Sequence, residues 1–167
     1  MLVSPAVPFA CSWRRASARG FTLIELMTTI TVLIVLVMVA VPSFREFVAN
    51  QRVRNASFDL MAALTLARSQ AITQNGSVDL KQSGGGWNGG WTVTDGTNTF
   101  GAHEGLSNLS ITDSSNLSTI TYGRDGRLTT VPTKFSVKPA TDLGSVKPRC
   151  ITIGLSGLPT SAEGACS

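Results

Sequence analysis

One carboxylate in this chain stands where a charge is expensive. Glu25 lies near the start of an apolar segment that carries no charged residue from Leu26 to Val41. An ionisable side chain there costs roughly 3 kcal/mol or more, which makes it a functional hypothesis in its own right. Gly20 and Phe21 precede it, and Arg14, Arg15 and Arg19 precede those. Other chemistry-bearing residues are sparse. Cys11 lies ahead of the arginines, while Cys150 and Cys166 form an even pair near the C-terminus. In an exported domain that pair reads as a disulfide; two free buried cysteines are the alternative. A loop of about 16 residues closed in this way is worth roughly 3 kcal/mol in the chain-entropy picture. His103 is the sole histidine and reads as an exposed loop residue, neither catalyst nor ligand. The run Ser83-Gly84-Gly85-Gly86 has no Gly-Lys-Ser/Thr after it, so it reads as a flexible loop rather than a phosphate cradle. There is no nucleophile elbow, no metal-ligand spacing and no second histidine to act as a base. The chain therefore reads as a non-enzyme with no catalytic residue, metal or cofactor.

Charge bounds the partners. The 167 residues hold 14 Lys/Arg and 10 Asp/Glu, a formal net charge of +4. Three of the arginines and none of the acids lie in residues 1–20, so eleven bases face ten acids thereafter, and seven face seven from Gly76 onward. The basicity belongs to the leader and gives no bulk electrostatic reason to expect nucleic-acid binding.

The elements that must position these residues follow from periodicity. Residues 1–20 read as targeting material and stand outside the fold. Residues 21–43 are long enough to cross a bilayer as a helix. The arginines before the span keep the N-terminus cytoplasmic and send the rest across the membrane. A secretory signal cleaved near Val39-Ala40, a twin-arginine signal at Arg14-Arg15, and a retained anchor cut after Gly20 are the three readings. Only the last accounts for Gly20, Phe21 and Glu25 together. Pro42 is expected to kink the helix or break it locally rather than end it. Val53, Ala56, Leu60, Ala63, Ala67 and Ala71 then recur at spacings of three and four, an amphipathic stripe that carries the helix through residues 44–75 to the stop signal Asn75-Gly76. Residues 76–167 read as short strands between turns. Strands are expected at Ser77–Gln82, Leu109–Thr112, Leu117–Gly123, Arg127–Val131, Lys134–Lys138 and Arg149–Leu155. Trp87–Val93 reads as a turn leading into a strand, 95–108 as a polar loop, and the tail as an edge segment ending at Cys166. Asp125-Gly126 is a type I′ hairpin signal.

Gly20-Phe21-Thr22-Leu23-Ile24-Glu25-Leu26 and the apolar helix behind it resemble the class III signal of type IV pilins and type II secretion pseudopilins. The resemblance implies that a prepilin peptidase cuts between Gly20 and Phe21 and that Phe21 is N-methylated. It further implies that Glu25 is an assembly contact, paired with the Phe21 amine of a neighbouring subunit. A charge pair of this kind offsets the cost of burying either group alone; the alternative is that Glu25 snorkels to the interface. Trp87-x-x-Gly90-Trp91, the turn between Tyr122 and Arg127, and Cys150-Ile151-Thr152-Ile153 are similar to the GspH/FimT subgroup. That likeness implies an α+β pilin-like fold, in which one long kinked N-terminal helix packs on a C-terminal antiparallel β-sheet or sandwich domain. It also implies a minor pilin or pseudopilin near the tip of a type IV pilus or type II secretion pseudopilus. The expected partners are other pilins, the peptidase/methyltransferase, the inner-membrane assembly platform, and lipid before assembly. The expected location is the bacterial inner membrane, single-pass, with the C-terminal domain periplasmic.

The alternative function is a DNA-receptor minor pilin. Relatives of that kind carry Gly-Arg-x-Arg after the last long strand, where this chain has Gly157-Leu158-Pro159-Thr160. Residues 156–167 contain no Lys or Arg, so DNA is not an expected partner. Arg124, Arg127, Lys134 and Lys138 remain as weak candidate contacts, with solvated surface charges the plainer reading; Lys147 and Arg149 complete the loose basic set.

Overall fold

The computed structural model describes residues 20–167. The expected leader, with Cys11 and the three arginines, lies outside the described residues apart from Gly20. Helix α1 (Leu23–Gln74) begins at a cap. The Thr22 hydroxyl accepts the Glu25 backbone N–H at 3.3 Å, the Thr-x-x-Glu spacing of a capping box. Pro42 lies inside α1 and the helix continues through it, as expected.

The chain divides into two compact units between Val39 and Ala40. In the first, the apolar side chains of α1 are exposed throughout, including Leu26, Ile30, Leu33 and Val37. The hydroxyls of Thr28, Thr29 and Thr31 donate back to helix carbonyls three or four residues earlier, at 2.8–3.0 Å. Their polar atoms are thereby satisfied without water, as an apolar medium demands.

In the second unit the six stripe residues from Val53 to Ala71 are all buried, joined by Ser57 and Leu64. Ser57 is tolerated because its hydroxyl donates to the Val53 carbonyl at 2.7 Å. The helix ends in a Schellman motif: Asn75 takes φ 50°, Gly76 N–H bonds the Ala71 carbonyl, and Asn75 N–H bonds that of Ile72. The left-handed residue is Asn75 rather than the glycine after it.

The strands are β1 (Val78–Ser83), β2 (Gly86–Thr94), β3 (Thr99–His103), β4 (Leu109–Asp113), β5 (Thr119–Tyr122), β6 (Thr133–Pro139), β7 (Arg149–Ile153) and β8 (Pro159–Glu163). They form two four-stranded antiparallel sheets, ordered β3-β2-β1-β5 and β4-β6-β7-β8. The core between them is one cluster with the α1 stripe. Trp87 from β2 meets Phe135 from β6 edge-on, centroids 4.9 Å apart. Its indole N–H donates to the Leu117 carbonyl at 2.9 Å, so the polar edge of the ring is satisfied inside the core. Trp87 and Trp91 are both buried in this core.

Several local expectations change. Residues 95–108 contain β3, an edge strand too polar to show a clear alternation. Arg127–Val131 is not a strand. Leu128 makes a single bridge to Tyr122, while its N–H turns to Leu155 and that of Thr129 to Thr121. Split between two partners, the segment builds no ladder. The type I′ hairpin lies at Gly84-Gly85, φ 64° and 83°, between the paired Ser83 and Gly86, so the glycine run is a tight turn. Asp125 does not have positive φ. Gly126 N–H bonds the Gly123 carbonyl and Gly123 N–H bonds that of Arg127, with Gly126 at φ 72°: a type I turn closed by a glycine bulge. Trp87–Trp91 is strand throughout. Gly90 is needed there because a Cβ would come within 2.3 Å of the His103 carbonyl oxygen on β3.

Gly157 ties the tail to the core. It sits at φ 76°, and a Cβ on it would fall 2.2 Å from the Gly126 carbonyl oxygen. Gly85 has a similar φ and open space around it. Gly157→Ala is therefore expected to destabilise the fold by about 3 kcal/mol or more, and Gly85→Ala by only about 1 kcal/mol. Urea unfolding of the two variants in one buffer measures the difference, and equal midpoints would refute it.

Candidate functional site

The N-terminal site is built by the cap. Gly20, Phe21 and Thr22 precede the helix, Gly20 has no neighbouring atom within 4 Å of a notional Cβ, and Phe21 is 80 % exposed. The Gly20–Phe21 bond thus lies ahead of the helix, and cutting it would require no unwinding of α1. Glu25 falls at the third helical position. Its carboxylate is favoured there by the positive end of the helix dipole. Among the described residues it has no ion-pair partner. Geometrically, the site is an acid presented on an uncovered apolar helix, a few residues behind a free-standing peptide bond.

The C-terminal site is a clamp. Cys150 on β7 and Cys166 beyond β8 are joined by a disulfide, Cα–Cα 5.1 Å. It fastens the edge strand β8 and the tail to sheet β4-β6-β7-β8. Lys134 on β6 also contacts the Ser167 carbonyl.

The candidate DNA contacts do not form one cluster by element. Lys134 and Lys138 alternate with buried Thr133, Phe135 and Val137, so they share the outer face of β6. Arg124 and Arg127 belong to the turn after β5, on the other sheet. Lys147 is taken up by Glu163 at 3.1 Å.

His103 departs from its reading as a lone loop residue. It lies in β3, stacks on Trp91 with centroids 4.5 Å apart, and places Nε2 3.4 Å from Asp59 on α1. Its Nδ1 is 2.7 Å from the Glu104 carbonyl. The sequence separation of 44 between Asp59 and His103 hides this contact from any local pattern. Its role is to join helix and sheet.

Three carboxyls report their surroundings. Glu163 is held below the usual range by its hydrogen bond with Lys147 and by that charge. Asp95 is lowered by the hydrogen bonds it accepts from Asn98 and Thr97. Asp113 is raised because burial outweighs its bond from the Leu117 N–H; the Thr133 hydroxyl also donates to it.

A protein with a single uncovered apolar helix, an acid near its start behind Gly-Phe, and an antiparallel two-sheet domain packed on the second half of that helix is pilin-like. The chain belongs to the GspH family: residues 56–157 match the type II transport protein GspH, and residues 15–41 match the prokaryotic N-terminal methylation motif. The fold is shared with crystal structures of the type IV minor pilin FimU of Pseudomonas aeruginosa PAO1. One, at 19% identity, gives a TM-score of 0.60 over 70% of this chain and 92% of that one. A second crystal form gives 0.57 at 20% identity, over 65% and 91%. No curated protein sequence matches the chain.

The carboxyl shifts make opposite pH contributions. A raised native pKa means that Asp113 holds its proton more tightly when folded; its contribution is present at low pH and lost as pH rises through the native value. Asp95 contributes in the other sense, losing its stabilisation as pH falls through its depressed native value. Carbon-detected NMR titration should place Asp113 above the ordinary 3.8 and Asp95 below it. The reverse order would overturn both assignments.

Proposed function

We propose that this protein is a minor pilin or pseudopilin subunit of an inner-membrane-anchored filament, either a type II secretion pseudopilus or a type IV pilus. Residues 1–20 are its leader, 21–43 its anchor and later its filament-core segment. Residues 44–75 are the amphipathic half of the helix, and 76–167 form the periplasmic domain. A prepilin peptidase cuts Gly20–Phe21 and the new Phe21 amine is methylated. Until assembly the anchor lies in lipid, with the N-terminus cytoplasmic; the assembly platform then moves the subunit into the filament, near its tip.

The observation that carries this reading is the uncovered helix. The 18-residue apolar window of α1 has a mean hydropathy of 2.5 and none of it is buried within the chain. Such a surface requires lipid or other helices around it. Once helices replace lipid, Glu25 has no water and needs a cation, and the nearest new one is the amine that cleavage creates. The DNA-receptor alternative gains no support from Gly157–Thr160, which remains without a base.

Removing one partner of a buried charge pair costs about 3–5 kcal/mol. Glu25→Ala should therefore leave processing and membrane insertion intact while lowering recovery in sheared filaments by about a hundredfold or more. Immunoblots of membrane and filament fractions measure both, and wild-type recovery of the variant would refute the pairing. A bulky replacement of Gly20 should leave residues 1–20 attached, as read by the mass of the membrane-bound chain.

A further inference from the structure

A groove of about 380 Å³ opens between α1 and the β7–β8 edge. Its walls include Phe47, Gln51, Arg54, Lys147, Arg149 and Glu163. Three cations face one carboxylate there. Lys147 and Glu163 pair with each other. The guanidiniums of Arg54 and Arg149 make no ion pair or side-chain hydrogen bond among the described residues. The Arg149 guanidinium lies over the Phe58 ring, 5.9 Å from its centroid, which orients the planar group and leaves its N–H donors available. Two forks of five donors each thus line one groove without a hydrogen-bond partner among the described residues. Glu163 shows that the groove accepts a carboxylate, and the excess charge leaves a place for a second.

The helix wall continues this surface. Phe44, Phe47, Gln51, Arg54 and Phe58 recur at spacings of three and four, so they share one face of α1, and all are exposed. Phe44, Phe47 and Phe58 are 66 %, 61 % and 58 % exposed. Exposed aromatics around an unpaired arginine are the composition of a protein-binding surface rather than of a free-ion site. A lipid headgroup fits less well. Arg54 follows Val41, the end of the apolar run, by about 20 Å of helix at 1.5 Å per residue. The headgroup layer is only about 5–8 Å deep.

We infer that the groove between Arg54 and Arg149 receives an acidic side chain, flanked by apolar residues, from an adjacent non-identical subunit of the filament. The inference rests on the minor-subunit reading, in which this chain's neighbours are other pilin-type chains. The carboxylate engages the two guanidiniums, and the Phe47–Phe58 stripe covers the surrounding apolar surface. Charge-assisted, bidentate pairing gives the contact its direction, and the exposed aromatics give it area. The groove thereby fixes which neighbour fits beside this subunit, whereas Glu25 and the Phe21 amine offer the same pair to every subunit with that signal.

The test uses the full-length chain in cells that assemble the filament, with a photo-reactive residue in place of Gln51. The expected product joins it to a peptide of another pilin-type subunit containing Asp or Glu. Arg54→Glu with Arg149→Glu should lower that product about tenfold, the scale of two attractive pairs made repulsive. Exchange of the cross-linked acid for Lys should restore it. Arg54→Lys with Arg149→Lys keeps the charge and loses the bidentate fork, so it should give a product between those of the unsubstituted chain and the Glu variant, and thermal unfolding of each variant shows whether the domain stays folded. A product with lipid or with a second copy of this chain, no product, or one indifferent to charge reversal would overturn the inference. If the unsubstituted chain is missing from sheared filaments, the subunit reading itself fails and takes the inference with it. If the chain is present and its cross-link is indifferent to charge, only the inference falls.

Discussion

Everything in the second unit depends on one contact surface, the buried face of α1 from Val53 to Ala71. Four of its eight residues are alanine. The stripe joins one core cluster with residues of both sheets, so a single helix face serves the two together. Asp59 reaches His103 on β3, and Phe58, one residue earlier, lies under Arg149 from β7. The sheets therefore meet the helix on neighbouring faces, and their large residues, Trp87, Trp91, Tyr122 and Phe135, fill the space between. Ile for Ala at Ala63 or Ala67 would push the backbone outward along its whole buried length, because interiors at this density have no slack.

Elements governed by strong periodicity or by a specific turn residue were legible in the sequence, and those governed by distant pairing were not. The 3.6 period persists over five turns and picks out six of the eight buried positions of the stripe, while Ser57 and Leu64 escape it. Strands β4, β6 and β7 were read within a residue or two, since Leu109/Ile111, Phe135/Val137 and Cys150/Ile151/Ile153 announce a buried face. Strand β3 was invisible. It is an edge strand with one half-buried aromatic, Phe100, and the close approach of Gly90 to His103 is invisible to a local reading. Arg127–Val131 failed in the opposite way: Leu128 and Val131 suggest a strand, but the segment bonds to two partners and extends neither ladder.

The glycines show why turn chemistry was harder to read than strand content. Gly84-Gly85 and Asp125-Gly126 are both hairpin signals, and only the first turned out to be the mirror-type turn. Two glycines accept positive φ without cost, whereas an Asp in the first position does so reluctantly. The chain resolves Asp125-Gly126 by moving the left-handed residue one place on and closing a bulge. Gly89 and Gly90 are conformational signals of another kind. They mark places where the backbone of β1 or β3 passes too near for any side chain, which is information about tertiary structure that no local reading holds.

Net charge hides placement in a related manner. Seven bases and seven acids from Gly76 onward suggest a domain without electrostatic preference, yet a sum over residues says nothing of where they lie. Lys81 with Asp79 and Lys147 with Glu163 are spent on each other. Arg149 is one of the five bases without an ion pair among the described residues, and Arg54, which precedes Gly76 and so is counted apart from the domain, lines the same groove. Dividing the chain into a helix and a domain for the purpose of counting separated two charges that the fold brings together. The second half of the helix shares its core with the sheets, so its charges belong in the same sum.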